Sequence, residues 1–400
     1  MGVANGDGMH GADQGLRRAV SGADIEATLQ PLERATMLPP AAFLRDGVLR
    51  WELENIFMGG WICVGHVAAV AAPGAYLARE IGGLSFFVVA GEDGTPRAFH
   101  NVCRHRGARL FEEAEGKVRR RIQCPYHAWS YDLQGNLRAA PHMDGVEGFD
   151  TACHGLVEIR ATVIGGLVLV DLSGEAGPPE DHIGELLPHL EHYSNTDLAR
   201  AGIVEYEVAA NWKGIAENYN ECLHCPGVHP ELNALSDYMS GEGLYGAGAW
   251  CGGTMTLNDG AETMGKEGGH LERPPIASLK DSDLRNILYF ALFPNALISL
   301  HPDYAMLHTL WPREPGRTDV VCEFFFEPST MALPDFDPTD AINFWDQTNR
   351  QDWHVCELAQ KGVRSPGYSP GRYSAEEEDV HAFDSMVAAR YAEGLREVVA

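Results

Sequence analysis

Short apolar runs separated by Gly, Asp and Pro turns fill the chain from Gly60 to about Leu172. "WICVGHV", "SFFVVAG", "RAFHNVC", "RRIQCPYH", "LRAAP" and "GGLVLVDL" are each of strand length, which predicts a small all-β module over residues 59–172. Ahead of it, residues 23–58 read as short helical pieces around "MLPPAAF", while residues 1–22 are Gly-rich and polar, which predicts disorder. "GEAGPPEDHIGE" (Gly174–Glu185) predicts a linker running into an amphipathic helix. Beyond Ile203 the pattern mixes strands and helices. "GIVEYEVAANWK", "RNILYFALFPNALISLHPDYAMLHTLWPRE" and "RTDVVCEFFFEP" predict antiparallel strands, and residues 214–224 predict a helix. "DFDPTDAINFWDQTNRQDWHVCELAQKGV" predicts a long helix, with Asp337 as its N-cap, Pro338 at its first position and Asp340 in its first turn. The whole is an α+β chain: a small β domain and then a larger domain over residues 173–400.

Charge narrows the partners. Lys and Arg number 30 against 57 Asp and Glu, a formal net charge of −27. Neither nucleic acid nor an anionic membrane surface suits such a chain; a cationic substrate does, although acidity is more often a matter of solubility. No apolar run is long enough to span a membrane and no export or transit signal is visible at the start, so the expected compartment is the cytoplasm. Nine cysteines at irregular spacing argue against a disulfide framework and for metal ligation.

Two clusters carry candidate metal chemistry. "NVCRHRGARL" places Cys103 and His105 as C-x-H, and "QCPYHAWSYD" places Cys124 and His127 as C-x-x-H. Two thiolates and two imidazoles in a β-rich segment fit structural zinc or a Rieske 2Fe-2S centre with one cysteine–histidine pair per loop. The one-residue gap of C-x-H is tighter than zinc knuckle spacing, and "AWSYDLQGNL" can cover a cluster with a hairpin; both favour the Rieske reading. Around them Arg104, Arg106, Arg109 and Arg119–Arg121 form a basic neighbourhood, either a solvated surface or a docking face for an acidic redox partner.

The second cluster is "ENYNECLHCPGVHP", Glu217 to Pro230. Glu221 and His224 would share a helix face. His229 lies about 140° further round an ideal helix and cannot chelate the same ion unless the chain bends. Pro226 and Gly227 predict that bend. Two histidines and one carboxylate with open positions form the facial triad of non-haem Fe(II) oxygenases. Asp352 is a candidate third ligand, with Asp346 and Glu357 as competitors. Cys222 and Cys225 read as small buried residues, because four ligands here would close the site.

With these residues in view, the chain resembles the large (α) subunit of Rieske non-haem iron oxygenases. The likeness runs from about residue 40 to 395 and rests on C-R-H…C-P-Y-H-A-W-x-Y, N-W-K…E-N-Y-N-E-C-x-H-C…H-P and the late Q-D-W. It implies a catalytic domain of helix-grip type, joined by residues 23–58, and places Cys103, His105, Cys124 and His127 on the cluster. His224, His229 and Asp352 would hold mononuclear Fe(II). It also implies a homotrimer in which Glu221 bridges His127 of one chain to His224 of the next. Electrons would pass from NADH through a separate flavin/iron–sulfur reductase, with O2 as co-substrate. Glu at position 221 and "ECLHCPGVHPEL" resemble the subgroup acting on quaternary amines such as carnitine, glycine betaine and stachydrine. Monooxygenation with N-demethylation of a small quaternary ammonium compound is the activity this implies. Hydroxylation or dihydroxylation of an aromatic or alicyclic acid is the alternative, and an iron–sulfur carrier or zinc-binding protein is the non-enzyme alternative. Trp250, Tyr289, Phe293, Tyr304, His308 and Trp311 are candidates to face an ammonium group through cation–π contact.

Overall fold

A computed structural model describes residues 14–266 and 273–396. The chain forms two compact units: Met58–Pro179, and the segments before and after it, up to Phe57 and from Glu180. Most of the stretch expected to be disordered, residues 1–13, lies outside the described residues. Its remainder is a correction: residues 14–19 are helical, with Leu16 and Val20 buried, because those two apolar side chains give the segment a face to bury. Gly15 lies against Gly47 so closely that a Cβ on it would meet Gly47 O at 2.8 Å, so the two backbones pack without side chains between them.

The smaller unit is all β. A seven-stranded antiparallel sheet runs Trp61–His66, Leu167–Asp171, Glu158–Ile164, Pro96–His100, Leu84–Ala90, Ala75–Ile81 and Glu115–Lys117 across its width. A three-stranded sheet of Ile122–Gln123, Ser130–Tyr131 and Leu137–Ala139 accompanies it. Phe86 to Ala90 are buried without alternation, so the interior strand Leu84–Ala90 is covered on both faces, as its unbroken apolar run requires. Tyr76, Phe87, Phe99, Leu110, Phe111, Trp129 and Tyr131 pack into one core cluster that also encloses Cys103 and Cys124.

In the larger unit a second seven-stranded antiparallel sheet runs Ala199–Val208, Arg317–Phe326, Ala305–Glu314, Ala296–Leu300, Asn286–Leu292, Trp250–Thr256 and Glu242–Gly243. The strands from Glu242 onward pair in sequence order, and Ala199–Val208 closes against the last of them. The long helix Thr339–Gly362 buries Phe344, Trp345, Thr348, Asn349, Trp353, Cys356 and Gln360. That 3–4 spacing presents one stripe to the helix Trp212–Tyr219 and to the Ala199–Val208 strand. Asp337 does accept Thr339 N–H at 2.9 Å, but the helix proper starts at Thr339, one residue later than the Pro338 start the sequence suggested.

The N-terminal helical segment is tied in by charge. Glu52 on the helix Asp46–Glu52 is fully buried; it accepts Trp212 Nε1–H at 2.9 Å and Lys213 Nζ at 2.6 Å, and Tyr391 donates its phenol to it. Lys213 is equally buried, so each charge depends on the other. Removing one partner of such a pair costs about 3–5 kcal/mol. Lys213→Met should lower denaturant stability by about that much, and Glu52→Gln in the same background should restore part of it.

Candidate metal centres

Two loops of the smaller unit are built alike. Cys103 N–H donates to Ala108 O and Gly107 N–H to Cys103 O; Cys124 N–H donates to Trp129 O and Ala128 N–H to Cys124 O. Each loop therefore closes on its cysteine, and each turns through a left-handed residue at the same place, Gly107 at φ 74° and Ala128 at φ 57°. A non-glycine residue in that region is strained, so Ala128 marks a turn that the surroundings enforce. The loops bring the His105 and His127 rings to 4.7 Å between centroids. Nδ1 of both rings is buried and without a hydrogen-bond partner among the described residues. Buried lone pairs of this kind need a partner, and a second iron beside the two thiolates would take both. The donor set thus fits a Rieske cluster on its own geometry.

Sequence reasoning missed what supports these loops. Tyr131, fully buried, accepts Arg104 N–H at 3.0 Å and lies 3.3 Å from Cys103 Sγ, where its hydroxyl would donate to a ligating thiolate. Burial pushes the Cys103 thiol up, and the Tyr131 hydrogen bond works against that. Asn101 accepts the N–H groups of Leu110 and Phe111 and donates to Phe111 O, stapling the first loop shut. Trp129 stacks on His105 at 4.8 Å. "AWSYD" held both aromatic residues, but nothing in it said that the phenol meets the sulfur. Arg109 of the basic neighbourhood pairs with Glu80 at 3.0 Å, while Arg104, Arg106 and Arg119–Arg121 are exposed.

In the larger unit the helix expected over 214–224 stops at Tyr219. Asn220 closes it, both its backbone and side-chain N–H groups reaching Ala216 O. Glu221 and His224 therefore sit in a turn and not on one helix face. A one-turn helix, Cys225–Val228, follows, with Pro226 in its first turn, where a missing N–H costs nothing. The break thus falls before the Pro-Gly pair, not at it. His229 lies between this turn and the helix Pro230–Leu235, at φ −127° and ψ 64°. Cys222 and Cys225 are not two small buried thiols but a disulfide, with Cα atoms 5.1 Å apart. The turn itself makes the pairing, since Cys225 N–H donates to Cys222 O at 3.0 Å.

One ligand atom from each of His224, His229 and Asp352 lies within 4.8 Å of the others. Asp352 Oδ1 is 2.7 Å from His229 Nε2 and 3.2 Å from His224 Nε2, so both Nε2 atoms face one carboxylate. Each Nδ1 has its own outer partner: Glu221 Oε1 at 2.6 Å from His224, and Gln351 Oε1 at 2.8 Å from His229. Those partners fix the Nδ1–H tautomer and leave Nε2 free to ligate. Burial alone would lower the His224 imidazole, but its bonds to Asp352 and Glu221 outweigh that and push it up to about 9. Burial likewise opposes Asp352, yet the two imidazoles hold its carboxyl below the usual range. Such a site stabilises positive charge, which is what a divalent ion supplies. The competing acids are otherwise engaged: Asp346 accepts Tyr206 O–H and Arg350, and Glu357 accepts Ala209 N–H.

A cavity of about 230 Å³ opens onto these residues. Tyr219, Tyr289 and Trp345 give it aromatic walls, and Gly253, paired across the sheet with Tyr289, lines it too, where a Cβ would collide with the Glu242 backbone. Of the six candidate substrate residues, Tyr289 lines it and five do not. Trp250 packs on Phe290 and donates to Ala247 O; Phe293 packs on Trp212 and Phe383. Tyr304 donates to Met264 O and stacks on His301 at 4.2 Å, and Trp311 donates to Thr309 Oγ1. His308 is buried between Tyr219 and Trp353, and burial drives its imidazole down to about 4. Aromatic side chains in strands are visible in sequence, but the sheet face that holds the cavity is not. The sequence reading gave no role to Gln351, although it stands in the Q-D-W motif, and missed Trp345, Tyr238 and Tyr245, which no motif marks.

Comparison with known proteins agrees with both centres. Residues 60–150 match the family described as the Rieske 2Fe-2S domain, and residues 196–393 match the ring hydroxylating alpha subunit (catalytic domain). The glycine betaine monooxygenase oxygenase subunit of Chromohalobacter salexigens is 33% identical over 367 residues, covering 84% of this chain and 81% of the relative. The carnitine monooxygenase oxygenase subunit of Acinetobacter pittii is 36% identical over 339 residues, covering 84% and 87%. The quaternary ammonium Rieske monooxygenase CntA, solved with L-carnitine, superposes with a TM-score of 0.77 at 25% identity over 92% of this chain and 98% of that one. No described helix is long and apolar enough to cross a membrane. With a Rieske domain and a ring-hydroxylating catalytic domain on one chain, the protein belongs to the Rieske non-haem iron oxygenases: an α subunit that carries a 2Fe-2S cluster and a mononuclear iron, takes electrons from a partner, and uses O2 on a small substrate.

Proposed function

We propose that this chain hydroxylates an N-methyl group of a small quaternary ammonium compound and so removes it. The carrying observation is a cavity lined both by the two histidines and Asp352 and by the aromatic residues Tyr219, Tyr289 and Trp345. Aromatic faces attract a desolvated ammonium by on the order of 0.5–2 kcal/mol each and hold it without a fixed hydrogen-bond geometry. In this reading Cys103 and Cys124 hold one iron of the cluster, His105 and His127 the other, and His224, His229 and Asp352 the mononuclear Fe(II). When bound, these centres supply one-electron transfer and O2 activation. The balance is one C–H bond, O2, two electrons and two protons giving C–OH and water. The resulting N–CH2OH group loses a proton and formaldehyde to leave a tertiary amine.

This chain's own residues orient and connect. Glu221 binds His224 Nδ1 through one oxygen and, with the other, accepts Leu223 N–H. We assign it the bridge to His127 of the partner subunit in a homotrimer. The solved quaternary ammonium monooxygenase described as using inter-subunit electron transfer supports that arrangement. A flavin/iron–sulfur reductase drawing on NADH is the donor we assign, and such a donor belongs in the cytoplasm.

A screen of quaternary amines and aromatic acids for substrate-dependent O2 uptake, scored for formaldehyde, tests the activity. Turnover of an aromatic acid with oxygen in the ring and no formaldehyde would replace it. Asp352→Ala should lose mononuclear iron while the visible Rieske absorption survives; loss of that absorption would sink the ligand assignment. Gln351→Leu should weaken Fe(II) binding by about 10–100-fold in a metal titration with the cluster spectrum unchanged. Glu221→Gln should keep both metals yet abolish single-turnover oxidation, and retained oxidation would contradict the bridge.

A further inference from the structure

Carboxylates gather at the cavity beside the mononuclear site. Glu242, Glu376, Glu378 and Asp379 all line it, the first three exposed and Asp379 half-buried. They come from separate elements: Glu242 from the short edge strand, Glu376 from a loop, and Glu378 and Asp379 from the first turn of the helix Glu378–Arg396. The helix dipole explains acids in a first turn. It does not explain Glu242 or Glu376. Tyr245 donates its phenol to Glu378, yet none of the four acids has an ion-pair partner among the described residues. Asp379 lines the cavity, its Oδ1 is buried without a hydrogen-bond partner among the described residues, and burial and Glu378 push its carboxyl up to about 6 against a backbone hydrogen bond from Gly252. A buried oxygen without a donor is costly unless a ligand supplies one or brings positive charge.

Equally informative is what the wall lacks. No Lys or Arg lines the cavity, and every Lys and Arg of the chain falls within the described residues. The neutral polar groups there are Asn218, Asn220, Thr254, Thr348 and tyrosine hydroxyls. A ligand carboxylate entering this space would meet no Lys or Arg and several like charges. A hydroxyl, ester or amide would meet partners.

We propose that the substrate of this enzyme is a net-cationic amine: an N-methylated ammonium whose far end is neutral, not a carboxylate. The proposal rests on the ammonium reading above and narrows it. It separates this chain from relatives named for glycine betaine and carnitine, both zwitterions. The acids draw the cation in and turn the zwitterion away, and the aromatic walls then hold the ammonium while a neutral tail bonds to the amides and hydroxyls.

Two matched pairs test this: choline against glycine betaine, and the methyl ester of γ-butyrobetaine against γ-butyrobetaine. Each is titrated calorimetrically into the anaerobic holoenzyme, and formaldehyde is scored after a single turnover of dithionite-reduced protein. The neutral-tailed member should bind at least tenfold more tightly, a difference of about 1.4 kcal/mol, and should release formaldehyde. Glu376→Gln with Glu378→Gln should shrink that ratio several-fold with both metals retained. Equal or tighter binding of the carboxylate member, or an unchanged ratio in the double variant, overturns the proposal while the ammonium reading stands. If neither member of either pair binds or yields formaldehyde, the ammonium reading itself falls.

Discussion

The contact of Asp352 with His229 joins residues 123 positions apart, and the larger unit is arranged around it. Three ligand atoms within 4.8 Å of one another is a demand that no single element of this chain can meet. One regular helix cannot present His224 and His229 to the same point, because their five-residue spacing turns them apart. The chain meets the demand by ending the helix at Tyr219, placing His224 in a turn and restarting with Pro226, so that each histidine leaves from separate backbone. The carboxylate then arrives on a long helix whose buried stripe sets its rotation.

That helix does two things at adjacent positions. Gln351 meets Nδ1 of His229 and Asp352 meets Nε2 of the same ring, so the imidazole is gripped from both sides by consecutive residues. Glu221 does for His224 what Gln351 does for His229. The difference in charge separates their roles. A neutral amide orients its ring and nothing more, whereas a carboxylate can also carry charge or a proton toward a second group.

The substrate side follows other rules. Aromatic residues and acids without ion-pair partners among the described residues line the cavity, and in the proposed reading they select on the sign and spread of charge. Two relatives with the same metal ligands can therefore diverge in substrate through residues outside the metal-binding motifs altogether.

The candidate metal residues could be picked out in the sequence because ligation restricts residue type and short spacing together. Cys103, His105, Cys124 and His127, and His224 and His229, each lie within one or two turns of a partner, and the resemblance to the family singled out Asp352. The antiparallel strands and the long helix were legible from periodicity. Residues 14–19, the end of the helix at Tyr219 and the Cys222–Cys225 disulfide were not, since local turn geometry and buried apolar contacts decided them. Nor could periodicity show that Tyr289 lines the cavity while Trp250 and His308 do not, because strand sequence carries no label for which sheet face is hollow. Sequence alone thus determined the chemistry available to this protein, through the identity of its ligands. Only tertiary structure decided which long-range partners orient those ligands and which charges surround the substrate, because both depend on residues that meet across the fold.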